Sequence, residues 1–405
     1  MSRPLEGIKV VEVAMWAFVP AAGGILSDMG ATVIKVEPPT GDPLRGLSTG
    51  LGGASEQTTI DFSWESYNRG KKSITLDLKQ QAGVEVLYRL VADADVFLTN
   101  LLPPARRAMG IDADTLRARF PKLIYACGSA VGQRGPEGDK GGYDSISFWS
   151  RGGVSSSLTE EDADVPVGPP GPAFGDTLSG SMLAGGICAA IAKRALTGEA
   201  STVDVSLFGA AMWSMQRVIA QSTDEGIVRF SRPQKDKPNN VLVNTYKTSD
   251  GRFVSLCMLQ ADKYWTKLCE VAGRPDLARD PRYGDSAARK ANLDACLADL
   301  KALFASKTLA EWREILARQS GQWDVVQHVG EIAADVQAQA NGYIQKVAVT
   351  AGREIPMVSV PMQFDGVPLV ARGAPDIGAD SDALLAELGY DENAIIDLKV
   401  AGVVF

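Results

Sequence analysis

Asp176 lies in Phe174-Gly175-Asp176-Thr177-Leu178-Ser179-Gly180, directly ahead of the small apolar run Ser181–Arg194. A glycine before the acid and another four residues after it let the backbone turn sharply and approach a ligand closely. The run reads as a buried helix whose first turn begins at or just after Asp176. A carboxylate there faces unpaired N–H groups and the positive end of the helix dipole, so it is expected to stay ionised. An ionised carboxylate on a glycine-flanked turn meets the needs of a carboxylate nucleophile. Asp is also a favoured N-cap, and this segment alone does not separate the two roles.

Few other residues offer covalent or acid–base chemistry. The one histidine, His328, sits in a helical-looking stretch and leaves little scope for a zinc site or a Ser-His-Asp triad. Cys127, Cys188, Cys257, Cys269 and Cys296 are scattered, with no C-x-x-C pair, and read as reduced thiols of a cytoplasmic protein. No metal is expected. Basic residues gather at three predicted loops: Arg69, Lys71 and Lys72; Arg106 and Arg107; Arg134 and Lys140. As a set they suit the phosphates of a nucleotide-bearing ligand. A Walker A motif is absent, so transfer of a γ-phosphoryl group is not expected.

The elements that would hold these residues alternate between strand and helix. Ile8–Ala14, Ala31–Glu37, Lys72–Leu78, Asp95–Asn100 and Leu123–Gly128 are short apolar runs of strand type, and Val203–Phe208 is one more strand or a helix entry. Small-residue and amphipathic helices (Ala21–Gly30, Gln80–Ala92) lie between them. The pattern predicts an α/β, Rossmann-like parallel sheet with right-handed crossovers. Ligands of such sheets bind at the carboxyl ends of strands, here Trp16, Glu37, Asn100 and Gly128. The first turn lacks G-x-G-x-x-G, and Glu37 reads as a strand-end surface acid.

The 405 residues exceed one simple core. A large domain is expected over 1–220, a linker near 229–240 and a smaller α+β domain over 225–335. That domain contains a hairpin (Val241–Cys257) and helices over Ala295–Phe304 and Leu309–Arg318. The segment 345–405 carries strand-like pieces and a helix around Asp382–Leu388, and packs back on the large domain. Net charge is −8, which argues against nucleic-acid binding. No run of about 18 apolar residues stands out, so no membrane span is expected, and Met1–Lys9 lacks the apolar core of a signal peptide.

In order along nearly its full length, the chain resembles the class III coenzyme A-transferase family, which includes formyl-CoA transferase, carnitine CoA-transferase and α-methylacyl-CoA racemase. The resemblance rests on Leu5–Glu12, Asp28–Asp42, Asn68–Leu78, Ala94-Asp95-Val96 with Asn100, Gly142-Tyr143-Asp144, Gly175-Asp176, Tyr246–Gly251 and Leu388–Ile395 with Gly402-Val403-Val404. It implies that Asp176 is a nucleophile carrying acyl and then CoA groups between a donor acyl-CoA and an acceptor carboxylic acid. It implies a substrate or oxyanion loop at Gly175, Trp16, Tyr143 and Asp144. Coenzyme A contacts fall on Val19, Lys71, Lys72, Ser73, Thr75, Asn100, Ala105, Arg106, Arg107, Met109 and Lys140. An intertwined homodimer is implied too, or a heteromer with a homologous subunit.

The chain departs from the pattern in places. Tyr143 stands where racemases carry a catalytic histidine, which disfavours isomerase or racemase chemistry with Asp176 as base. An intact Gly175-Asp176 disfavours a silent partner subunit. Ala108 replaces a frequent arginine, and Ala130-Val131-Gly132 replaces Gly-Phe-Gly. Trp16, Phe18, Phe148 and Trp149 are candidates to line an acyl pocket for a bulky or aromatic group, or simply to be core.

Overall fold

The structure, a computed structural model, describes residues 3–47, 60–230, 237–349 and 352–405. Residues 231–236 of the expected linker lie outside the described residues. The chain divides into two compact units, Met1–Phe230 with Val336–Phe405, and Ser231–Asp335.

In the first unit six parallel strands form one sheet: β1 (Lys9–Val13), β2 (Thr32–Glu37), β3 (Lys72–Thr75), β4 (Val96–Thr99), β5 (Ile124–Ser129) and β6 (Thr202–Ser206). Their order is β3-β2-β1-β4-β5-β6, the doubly wound order whose direction reverses between β1 and β4. Nine helices of the unit are α1 (Phe18–Asp28), α2 (Phe62–Asn68), α3 (Gln81–Ala92), α4 (Pro103–Ala108), α5 (Ala113–Arg119), α6 (Val154–Leu158), α7 (Phe174–Thr197), α8 (Leu207–Ser214) and α9 (Gln216–Glu225).

Strand residues alternate between two cores because successive side chains leave opposite faces of a strand. Val10, Val33, Val96, Leu98 and Ile124 pack on Phe18, Ala22 and Leu26 of α1 and Leu183, Ile187 and Ala190 of α7. Val11, Val13, Ile34, Phe97 and Tyr125 pack on Val86, Leu87 and Leu90 of α3. Helices on both faces explain why the strands read as continuous apolar runs.

Two details differ from the sequence reading. First, α7 starts two residues before Asp176, after Ala173 in a left-handed conformation (φ 56°). It is also long and apolar enough to cross a membrane by length and composition, its alanines, leucines and isoleucines raising the average. Within the unit it packs on α1, β5, β6 and α8. Second, Val203–Phe208 is both things at once: β6 ends at Ser206, whose side chain caps α8 by accepting the Gly209 N–H. Helix α9, outside the elements expected from the sequence, buries none of its residues although Val218 and Ile219 give it an apolar side.

The second unit holds an antiparallel sheet of β7 (Val243–Lys247), β8 (Phe253–Cys257) and β9 (Trp323–Val325), with α10 (Ala261–Val271), α11 (Pro275–Arg279), α12 (Ser286–Ala291), α13 (Leu293–Phe304) and α14 (Leu309–Leu316). A capping box between Thr308 and Glu311 starts α14. The stretch before His328 is strand β9 rather than helix: Val325 pairs with Val254 across the sheet, which local periodicity does not report. His328 precedes a short 3-10 turn, Val329–Ala334.

The returning segment contains α15 (Val336–Ala340), the hairpins β10 (Ile344–Val349)–β11 (Arg353–Val358) and β12 (Gln363–Phe364)–β13 (Val367–Pro368), then α16 (Ser381–Glu387) and α17 (Glu392–Val400). It packs on the β3 edge of the sheet. Ser73 N–H donates to Asp380, Gly378 N–H donates to Ser73 Oγ, and Leu76 bridges to Val404.

Candidate active site

The β1–β4 reversal opens a crevice at the carboxyl ends of those strands. Asn100, just past β4, spans it: its Oδ1 accepts the Met15 N–H at 3.0 Å and its Nδ2 donates to the Met15 carbonyl at 2.6 Å. Trp16 follows with φ 69°, a left-handed conformation that costs a bulky residue about 1–2 kcal/mol. Its N–H donates to Asp42 Oδ1 at 3.1 Å. The described residues include only three non-glycine residues with positive φ, and two of them are Trp16, three residues past β1, and Ala173, just ahead of the helix that carries Asp176. Strain of that kind concentrates at functional sites.

Helix α7 brings Asp176 here by close packing on α1. A Cβ on Gly180 would lie 2.8 Å from both the Phe18 carbonyl and the Ala21 Cβ, so only glycine permits the approach. On the other side a turn of π-helix, Ser145–Ser150, follows Asp144 and presents Phe148 to Gly175. Such turns are rare and recur at functional sites. Asp144 Oδ2 accepts the Gly175 N–H at 2.9 Å, while its Oδ1 is buried with no hydrogen-bond partner among the described residues. Gly175 is tightly enclosed, since a Cβ there would overlap Phe148 and Asp144 Oδ1. Tyr143 stands 57% exposed, edge-on to the Trp16 indole with ring centroids 5.6 Å apart.

Asp176 is half-buried. Burial, with the Asp144 charge beside it, pushes its carboxyl up to about 7. The expectation that the helix end keeps it freely ionised is therefore corrected: loss of hydration outweighs the dipole, which is worth about 2 kcal/mol at most. Burial also raises Asp144, although the Gly175 and Asp176 N–H groups pull it the other way. A nucleophile must be unprotonated. The rate of its acylation is therefore expected to fall about tenfold per pH unit below 7 and to level off above it. A single-turnover profile from pH 5.5 to 8.5 reads this directly; a flat profile contradicts it.

The structure separates the expected coenzyme A contacts into two groups. Several face inward. Val19 is core, packed under Gly128. Lys71 is buried, with Nζ 2.8–3.0 Å from Glu12, Asn68 Oδ1 and the Pro20 carbonyl, which uses all three of its protons. Burial lowers its pKa to about 8 against the pull of Glu12. Ser73 and Thr75 hold the returning segment, Thr75 Oγ1 meeting the Phe405 N–H at 3.0 Å. Arg106 is buried against Tyr125 and Gln133. Asn100 clamps Met15 as described. Side chains so committed are not free for phosphate. Gly175 N–H is likewise already taken by Asp144 rather than open to an oxyanion.

Arg107, Lys140 and Arg134 are exposed and Lys72 half-exposed, with Ala105 and Met109 half-buried beside them on and just after α4. Arg107 pairs loosely with Asp139 (3.7 Å), Lys140 with Glu137 (2.6 Å) and Lys72 with Glu387 (3.3 Å). Exposed pairs are worth under about 1 kcal/mol, so a phosphate can displace them.

Other features were not visible in the sequence. Tyr67, on α2, reaches this site: its hydroxyl is 3.4 Å from Thr177 Oγ1 and its pKa is raised, chiefly by burial and in part by the Asp176 and Asp144 charges. Glu37 is not a surface acid but is buried, bonded by Arg45, Ser73 and the Asp42 N–H. Beside it Lys35 joins Glu12 (3.2 Å), Asp42 (2.8 Å) and the Ala14 carbonyl (2.8 Å). Burial disfavours the Lys35 charge, but Glu12 and Asp42 more than offset it and raise its pKa. Of the four aromatic candidates for a pocket, Phe18, Phe148 and Trp149 are core, and only Trp16 belongs to no hydrophobic cluster among the described residues. The described residues contain no cluster of His, Cys, Asp and Glu suited to a metal ion.

Comparison with known proteins bears on this site. A family model described as CoA-transferase family III matches residues 5–381. The chain is 34% identical to the (R)-2-hydroxy-4-methylpentanoate CoA-transferase of Clostridioides difficile, over 99% of both chains. It is 34% identical to the cinnamoyl-CoA:phenyllactate CoA-transferase of Clostridium sporogenes, over 97% of this chain and 95% of that one. A CaiB/BaiF family protein from Brucella suis has a crystal structure that superposes with a TM-score of 0.81 at 30% identity, covering 96% of this chain and all of that one.

Proposed function

The chain belongs to CoA-transferase family III, an enzyme family moving CoA between acyl-CoA thioesters and carboxylic acids, and from that premise we propose that Asp176 is the covalent carrier. The observation that carries this is the half-buried Asp176 carboxylate in the first turn of α7, beside the Asp144 charge, three residues after left-handed Ala173 and taking no hydrogen bond from the described residues. Asp176 attacks the thioester carbonyl; the C–S bond breaks and CoA leaves as thiolate. The thiolate attacks the Asp176 carboxyl carbon of the resulting anhydride, which expels the donor acid and leaves a thioester on Asp176. An acceptor carboxylate repeats both steps in reverse. No proton or ATP is consumed, because the thioester energy passes from bond to bond.

Arg107, Arg134, Lys140 and Lys72 are the basic side chains exposed enough to meet CoA phosphates. The acids named for the two relatives carry a 2-hydroxyl group and a bulky apolar end, and we place the acceptor in that class. The high pKa of Asp176 would also suit a base, which keeps acyl-CoA isomerisation as a second reading. Intact-protein mass after mixing with acyl-CoA tests both. An adduct of CoA mass, exchanged by added carboxylates, supports transfer. Exchange of the acyl α-proton without any adduct supports isomerisation. No signal of either kind favours a silent subunit.

A homodimer is part of the proposal. Amphipathic α9 buries nothing, Trp213 three residues before it is 62% exposed, and Leu196 near the end of α7 is 86% exposed; exposed apolar side chains of this kind call for a partner. A sedimentation mass of one chain at micromolar concentration would rule it out. A cytoplasmic location is proposed from the five free thiols.

A further inference from the structure

Trp16 pays for a left-handed backbone and yet contributes its indole to no hydrophobic cluster among the described residues. Its conformation is fixed from both sides. Asn100 holds the preceding Met15 by both backbone groups, and Asp42 Oδ1 accepts the Trp16 N–H. Asp42 is itself immobilised. It is buried, its Oδ2 lies 2.8 Å from Lys35 Nζ, its N–H donates to Glu37, and its Oδ1 also accepts the Leu44 N–H at 2.9 Å. Lys35 and Lys71 share Glu12, so the anchor runs across three strand ends. At its outer end the indole meets exposed Tyr143, whose neighbour Asp144 holds the Gly175 N–H next to Asp176.

We propose that Asp42 is a positioning residue for CoA transfer: it holds Trp16 left-handed so that the indole and Tyr143 form one wall of the acyl pocket, and thereby sets which acyl groups react without touching them. The inference rests on the transferase reading above. A flat aromatic wall favours acyl groups with a bulky apolar end, through contact area and edge-to-face geometry, and is indifferent to a two-carbon acyl group.

The test compares full-length wild type, Asp42→Ala, Trp16→Gly and the double variant. The readout is the second-order rate of adduct formation on Asp176 with 3-phenylpropanoyl-CoA and with acetyl-CoA. Asp42→Ala is expected to lose about tenfold to a hundredfold with the aryl donor and under about threefold with acetyl-CoA. Trp16→Gly should show the same selectivity loss, since glycine adopts the backbone without strain but has no indole. The double variant should be no worse than Trp16→Gly alone. Asp42→Asn keeps an oxygen for the Trp16 N–H and should keep the aryl preference; it serves equally if Asp42→Ala does not fold. Equal losses with both donors, or losses that multiply in the double variant, overturn the inference. Loss of the aryl preference in a folded Asp42→Asn also overturns it. If wild type forms no adduct with either donor, the transferase reading falls as well; adducts with unchanged selectivity in the variants sink this inference alone.

Discussion

Asp176→Ala is expected to remove turnover by at least about 10⁴-fold and to abolish the CoA-mass adduct, because the acyl and CoA groups lose the carboxylate that carries them. The protein should still fold. Asp176 is the third residue of α7, where its loss removes no cap, since the start of the helix is set by Ala173 and its carbonyl accepting from Thr177. Stability offers an independent check. The folded pKa of about 7 lies above the ordinary 3.8. The native state thus holds the proton more tightly than the unfolded chain, and the stability this gives is present at low pH and lost as pH rises through 7. Asp176→Asn, which carries no charge to bury, should therefore melt a few degrees higher than wild type at pH 8, for a gain of roughly 2 kcal/mol, with the difference shrinking as pH falls from 7 and vanishing only below 3.8. A variant that is inactive, adduct-free and more stable at high pH identifies the nucleophile. Retained turnover in folded Asp176→Ala would refute the covalent mechanism.

Gly175→Ala should damage the site with the nucleophile intact. The added methyl overlaps the Phe148 ring and Asp144 Oδ1, and neither can withdraw freely: Phe148 is core and Asp144 is fixed by the Gly175 N–H. The start of α7 must move outward, taking Asp176 with it. A displacement near 1 Å is expected to lower kcat by about 10²-fold or more. The substitution also perturbs the Asp144–Asp176 pair, so the pH midpoint of acylation should shift. Normal kcat with an unshifted midpoint would mean that the enclosure of Gly175 is only packing.

The sheet was legible because each strand is a short apolar run buried on both faces, and the helices because their periodicity or small-residue content is local. Asp176 was legible for the same reason, since the glycine spacing around it is local. What sequence reading missed depends on partners far along the chain. Lys71 looks like a surface cation between two loops, yet its partner Glu12 lies 59 residues earlier. Asn100 looks like a ligand contact, yet it clamps Met15, 85 residues away. Glu37, Lys35 and Asp42 form a buried network only once β1, β2 and β3 are side by side. Strand β9 emerges only by pairing with β8. Tyr67 enters the site because α2 packs on α1, which no pattern within Phe62–Asn68 announces.

Thr75 and Leu76 end β3 by pairing with Phe405 and Val404, some 330 residues later, and Asp77 N–H donates to the Val403 carbonyl. On the ribosome this means that the sheet edge supporting the Lys71 and Glu37 network stays open until residues 403–405 have left the exit tunnel. The second unit, by contrast, is contiguous in the chain and can fold while synthesis continues. Closure of the large unit therefore waits for its late segment, and the open β3 edge is the place where a nascent chain would first offer a docking strand to a chaperone or to a neighbouring nascent chain.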